Sequence, residues 1–327
     1  RMNFIQEVLH VPLIIIFNYF HIRQAYNLNK YKSTKFKDKY KNMVIYRGML
    51  MTKEERGTFN KFRWFLIAIF FIVNILLIFT YKNPNLLAID SFLVTAFLFI
   101  IAVLHGMDRY GKKNIAIFFL ITLAVSFFFE NLSIRTGFPF GFYHYSPSLG
   151  FLTVPFIIIF AYFSIGYLSW MLAHVLTGQY AKKLEGKQIF IVPFIAAFLM
   201  VMWDLTVDPI SSTLQGLWVW TTQGAYFGVP ISNFFGWFLV VFIFFQIFAL
   251  YLSKYDSTKG KKALKLFNKP YWSETAAVYG ITALGTILSV FYQYNDITIS
   301  MALVTVFTMV FVTILALVNI WNNQNLR

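Results

Sequence analysis

The chain has 327 residues, of which 58% are hydrophobic and only 13% charged, with no cysteine and a formal net charge of +15. Soluble domains run near 45–50% apolar and about 25% charged, so this chain has too little polar surface to cover a globule. The missing thiols exclude a disulfide scaffold, a thiolate metal site and cysteine nucleophiles.

A bilayer core of about 30 Å is crossed by roughly 20 apolar helical residues. The first apolar stretch, residues 3–20, is short and carries Glu7, His10 and Pro12, so spanning, re-entrant and interfacial placements all stay open. It has neither a basic leader nor an Ala-x-Ala-like site, so it does not read as a cleavable signal peptide. Segment 28–63 is rich in lysine and is expected to lie on anionic lipid headgroups. Eight apolar runs follow, at about 62–81, 86–104, 114–131, 152–177, 188–207, 232–253, 275–293 and 297–321. The expected fold is therefore all-α, a polytopic transmembrane bundle of about eight spans. Residues 1–61 form an N-terminal apolar and basic segment, and residues 62–327 form the membrane-embedded domain. No internal repeat stands out.

Charge fixes the expected orientation. Segment 21–63 carries twelve Lys or Arg, 105–113 three, 178–187 three and 254–271 six, whereas the intervening loops hold only Lys82 and Arg135. By the positive-inside rule the basic loops and the C-terminus are cytoplasmic, in the cell membrane. The net positive charge is thus topological, and no nucleic-acid partner is implied.

Ionisable groups inside membrane helices are functional candidates by default. Glu130 ends the run IAIFFLITLAVSFFFE, about 25 Å along a helix from Lys113. Asp204 ends IFIVPFIAAFLMVMWD, and Asp208 follows one helical turn later. Pro209 is expected to end that helix at Asp208. All three carboxyls then sit at one level, at the extracytoplasmic end. Two carboxyls one turn apart, out of water, do not both ionise cheaply, so one is expected to keep its proton as a general acid. A bland alternative is helix capping, or pairing with Arg135.

The loops at that level are aromatic rather than solvated. NLSIRTGFPFGFYHYSPSLG (Asn131 to Gly150) carries Tyr143 and Tyr145. PISSTLQGLWVWTTQGAYFGVPISNFFGW (Pro209 to Trp237) is uncharged and carries Trp218, Trp220, Tyr226, Asn233 and Trp237. Their glycines and prolines suggest fixed turns, and irregular backbone at membrane depth is tolerated where it lines a cavity. The two loops read as an aromatic roof over the carboxyls. His144 lies in the first loop as a hydrogen-bonding or relay group. No histidine cluster of metal-ligand spacing is present, and no Walker A, dinucleotide or G-x-S-x-G motif, so no metal or cofactor is expected.

These same residues carry a family resemblance. Glu130 to Gly150 with TGFPFGFYHY at its centre, VPF at Val154 to Phe156, D-L-x-x-D-P at Asp204 to Pro209, G-x-W-x-W at Gly216 to Trp220, and G-x-Y-F-G-V-P-x-x-N-F-x-G-W at Gly224 to Trp237 resemble the membrane-embedded carotenoid hydratases. That family includes carotenoid 1,2-hydratases and bisanhydrobacterioruberin hydratases. The resemblance covers about residues 62–321 and implies addition of water to the terminal C=C of an acyclic carotenoid, giving a tertiary alcohol. On that reading Glu130, Asp204 and Asp208 are catalytic, with Asp204 or Glu130 the acid and Asp208 orienting water. Tyr143, Tyr145, Trp218, Trp220, Tyr226, Asn233 and Trp237 line the substrate, the aromatic faces stabilising a cation and Asn233 holding the water. The substrate is a polyene in the bilayer, and other carotenoid enzymes are potential partners. Two other readings compete: a lipid or isoprenoid flippase with the acids coupling protons, and a non-catalytic membrane organiser of carotenoid enzymes.

Overall fold

In lipid, each backbone N–H and C=O must find its partner within the chain, which makes helices of the apolar runs. The computed structural model describes residues 43–46, 49–80, 84–146, 153–180, 184–255, 267–324 and 326. The apolar stretch 3–20 and residues 28–42 of the basic segment assigned to lipid headgroups lie outside the described residues. A short antiparallel pair, β1 (Met43–Tyr46) and β2 (Met49–Thr52), leads into α1 (Lys53–Thr80) and α2 (Pro84–Thr136). Then come α3 (Phe156–Leu176), α4 (Gln188–Asp208), α5 (Ile231–Tyr255), α6 (Lys269–Tyr292), α7 (Asp296–Thr305) and α8 (Phe311–Asn322). A π-helical stretch, Val306–Val310, joins α7 and α8 into one rod. The described residues thus form seven rods long and apolar enough to cross a membrane. The fold is all-α as expected, with a second small strand pair, β3 (Tyr143–Tyr145) and β4 (Trp218–Trp220), added at one end.

The α2 rod is a hairpin. Gly111 has φ 78° and ψ 163°, a backbone conformation open to glycine and strained for other residues. The Phe99 and Phe119 rings lie 5.9 Å apart, whereas twenty residues of straight helix would separate them by about 30 Å. Limbs 84–110 and 112–136 therefore run antiparallel, and the bundle has the eight limbs that the apolar runs predict. What the sequence misjudges is the connection. The expected loop 105–113 is the helical tip of this hairpin, and His105, Asp108 and Arg109 are all buried within it.

Ring contacts give the directions of the next helices. Phe198 meets Phe238 and Trp203 meets Trp237, so α4 and α5 are antiparallel. Tyr162 meets Trp237 and Trp170 meets Phe245, so α3 runs parallel to α5. The innermost rod is α3, 72% buried where the other rods reach at most 44%.

Both α1 and α6 begin earlier than their apolar runs at 62 and 275 suggest, and where those runs start, charged side chains are paired inside the bundle. Arg63 of α1 is fully buried. Its Nε donates to Glu274 of α6 at 2.6 Å and its Nη1 to Asp108 at 3.1 Å, with the Phe59 and Tyr271 rings on the guanidinium. Beside it His105 stacks on Tyr271 with ring centres 4.0 Å apart, and its Nδ1 meets the Tyr167 hydroxyl at 2.7 Å. Three charges out of water hold only while the set is complete. Arg63→Met strands two buried acids and is expected to lower stability by about 3–5 kcal/mol. Thermal unfolding of the detergent-purified protein measures this, with exposed Lys61→Met expected to be silent.

Candidate functional site

The opposite end of the bundle holds the carboxyls. The second limb of α2 delivers Glu130 nearly two turns before its end, and α4 delivers Asp204 and Asp208 from one face. The helix does not stop at Pro209. It widens into a π-helical stretch, Pro209–Leu214, in which Gln215 N donates five residues back to Ile210 O at 2.9 Å. Proline lacks an N–H and crowds the preceding turn, and the wider turn carries the rod on past it. Asp208 keeps helical geometry and stays one turn above Asp204.

The two loops cross above the carboxyls as a strand pair. Tyr143 faces Trp220 and Tyr145 faces Trp218 across an antiparallel ladder. Strand side chains alternate, so these four aromatics point to one side, while His144 and Val219 between them are exposed. The structure thus turns His144 away from the carboxyls, against the relay role expected of it. Ser133 fixes the turn below β3: its Oγ donates to Gly141 O at 2.8 Å and accepts from Phe140 N at 3.1 Å. Gly236 lets α5 close against that turn, since a Cβ there would lie 2.8 Å from Pro139 O.

The result is a small cavity walled by the carboxyls and by the aromatics above them. Nine of the ten residues singled out from sequence line it: Glu130, Asp204, Asp208, Tyr143, Tyr145, Trp218, Trp220, Asn233 and Trp237. The tenth, Tyr226, turns aside, its hydroxyl donating to Leu205 O at 3.2 Å and its ring packing on Phe227 and Phe234. Among the described residues the lining contains no Lys or Arg, and Arg135 is exposed. Among the described residues no group of three His, Cys, Asp or Glu side chains is placed to hold a metal ion.

With no cation at hand, the carboxyls are met by neutral donors. Glu130 accepts from the Tyr143 hydroxyl, from Tyr145 at 2.7 Å and from Tyr162 at 2.6 Å, engaging both oxygens as a carboxylate's would be. Burial, with the Glu130 carboxyl beside them, pushes the Tyr143 and Tyr145 phenols well above their ordinary range, so both remain donors. Asn233 spends both amide hydrogens, one on Asp204 Oδ2 at 3.0 Å and one on Asp208 Oδ2 at 2.6 Å. They are therefore not available to hold a water as expected. Trp218 Nε1 donates to Asp208 Oδ1 at 2.8 Å. Five of the six carboxyl oxygens thus accept a hydrogen bond, and Asp204 Oδ1 alone accepts none among the described residues.

Sequence reasoning missed Tyr162 and Trp203, both in the lining. Tyr162 carried a signal: it is a hydroxyl in an apolar span at the level of Glu130. Its ring stacks on Trp237 with centres 4.4 Å apart and planes 5° from parallel.

A family model for the carotenoid biosynthesis protein matches residues 87–311, well over half of the chain and all of the cavity lining. The chain belongs to the carotenoid biosynthesis protein family. Its role is therefore in carotenoid biosynthesis, and the site belongs to the part that family members share. No curated protein and no solved structure matches the chain.

In this carotenoid biosynthesis protein the Tyr162 hydroxyl supports Glu130 while its ring supports Trp237. Tyr162→Phe keeps the stack and removes one of three hydrogen bonds to the buried Glu130 carboxyl, an expected loss of about 1–3 kcal/mol in thermal unfolding. Tyr226→Phe removes only a bond to a neutral carbonyl, and its expected loss is about 0.5–1.5 kcal/mol.

Proposed function

We propose that the protein adds water to the terminal C=C of an acyclic carotenoid to give a tertiary alcohol. The observation that carries this reading is Asp204 Oδ1, the one oxygen of the three carboxyls that accepts no hydrogen bond among the described residues, on a residue lining an aromatic cavity. Hydration of a trisubstituted alkene begins with proton transfer to carbon, which asks for a carboxylic acid held out of water. Among the four oxygens of the aspartate pair, three accept hydrogen bonds, which leaves Asp204 Oδ1 as the one free to carry that proton.

The alkene π pair takes the proton from Asp204 Oδ1, forming a C–H bond and leaving the positive charge on the tertiary carbon. A water lone pair then closes the C–O bond, and the released proton passes to Asp208. Asn233, bonded to both aspartates, holds them close enough for that proton to return to Asp204. Atoms and charge balance, and no co-reactant is consumed. The Glu130 carboxylate and the ring faces of Tyr143, Trp220 and Trp237 surround the cation, each well-placed ring contributing about 0.5–2 kcal/mol. On this reading the end of the polyene enters the cavity and its length stays in the bilayer.

Expression in a lycopene-producing bacterial host tests the reading. Chromatography with mass spectrometry is expected to find a product heavier by one water. Asp204→Asn is expected to lower its yield at least about 100-fold, the scale of a lost general acid. Unchanged lycopene, with longer and shorter acyclic carotenoids equally unchanged and the protein present in the membrane, overturns the proposal.

A further inference from the structure

The roof contains one donor that the carboxyl network does not use. Trp218 and Trp220 lie on the same side of β4, two residues or about 7 Å apart along the strand. Trp218 spends its indole N–H on Asp208. The Trp220 ring lies against Tyr143, with centres 5.0 Å apart, and lines the cavity. Its Nε1 is shut off from bulk solvent and has no hydrogen-bond partner among the described residues, while Asp208 lines the same cavity and bonds the neighbouring Trp218. A buried indole N–H seldom goes without an acceptor, and a donor and an acceptor that share one small cavity are a place where water bridges. Asp208 has accepting capacity left, since each of its oxygens takes one hydrogen bond and a carboxylate offers about four sites.

The geometry points to Trp220 Nε1–H and Asp208 as the two jaws that hold the attacking water. This rests on the hydration reading and deepens it: Trp220 acts on the second step, capture of the cation, and not on the first. The indole N–H donates to the water oxygen and keeps one lone pair busy. Asp208 accepts one water hydrogen, which leaves the second lone pair for the tertiary carbon. The C–O bond forms, the O–H bond to Asp208 breaks, and the product hydroxyl stays against Trp220. Where no water is held, the cation has one other exit: it returns a proton to a carboxylate and reverts to the alkene.

The two exits are counted separately in D2O. Each protonation that reverts can leave deuterium in the recovered polyene, and each capture yields an alcohol. Trp220→Phe keeps the aromatic face and deletes the N–H. The ratio of deuterated polyene to alcohol is expected to rise about tenfold over wild type, the effect of one lost hydrogen bond, whatever the total uptake. Trp220→His, which restores a ring N–H, is expected to bring the ratio part of the way back. An unchanged ratio in a folded Trp220→Phe protein overturns the assignment. A second measurement needs no variant: in buffer containing methanol, the wild-type protein with a held water is expected to give alcohol and no methyl ether. Ether formed in proportion to methanol overturns it equally. Absence of both alcohol and exchange in the wild type strikes the hydration reading itself, a separate result.

Discussion

A carboxyl removed from water needs donors, and among the described residues no lysine or arginine lines this cavity to supply them. Three carboxyls are instead met by three phenols, one amide and one indole, drawn from α3, α5, β3 and β4. Neutral donors are weaker than cations, so three converge on Glu130 and two on Asp208, while Asp204 shares the amide with Asp208. That requirement gives a physical reason for the rest of this end of the bundle. The strand pair aims alternate aromatics downward, Ser133 clamps the turn that feeds it, and the π stretch carries α4 past a proline without losing Asp208.

The other end meets the same difficulty by the opposite means. There Arg63 lies against Glu274 and Asp108, and burial is compensated by charge. A carboxylate clasped by a guanidinium has little left to offer a passing molecule, and its partners fix how helices sit against one another. A carboxyl held by phenols and amides keeps its proton chemistry. One chain thus holds its buried acids in two ways, one suited to holding helices together and one to reacting.

Much of this was legible in the sequence because the controlling physics is local. The number of limbs followed from apolar runs of membrane length, and the gathering of Glu130, Asp204 and Asp208 followed from counting residues along helices that share an end. Tyr143, Tyr145, Trp218 and Trp220 were recognisable as aromatics in loops that ought to be polar. What failed was non-local. Whether His105, Asp108 and Arg109 are a wet loop or a buried helix tip depends on Arg63 and Glu274, which arrive from distant parts of the chain. Tyr226 sits among the same aromatics as its neighbours, and only the turn around Gly228 decides that it faces Leu205. Proline at 209 reads as a stop until a π turn is allowed.

One consequence concerns where the working unit begins. The residues that match the family start at 87, yet α1, which ends at Thr80, carries the guanidinium that two acids inside the matched region close upon. In the sense of assembly, α1 is a tethered subunit: a separate helix whose docking neutralises its receptor. Its surface toward the bundle is an interface in all but covalent connection, and the smallest self-sufficient form of this protein is wider than the stretch its relatives share.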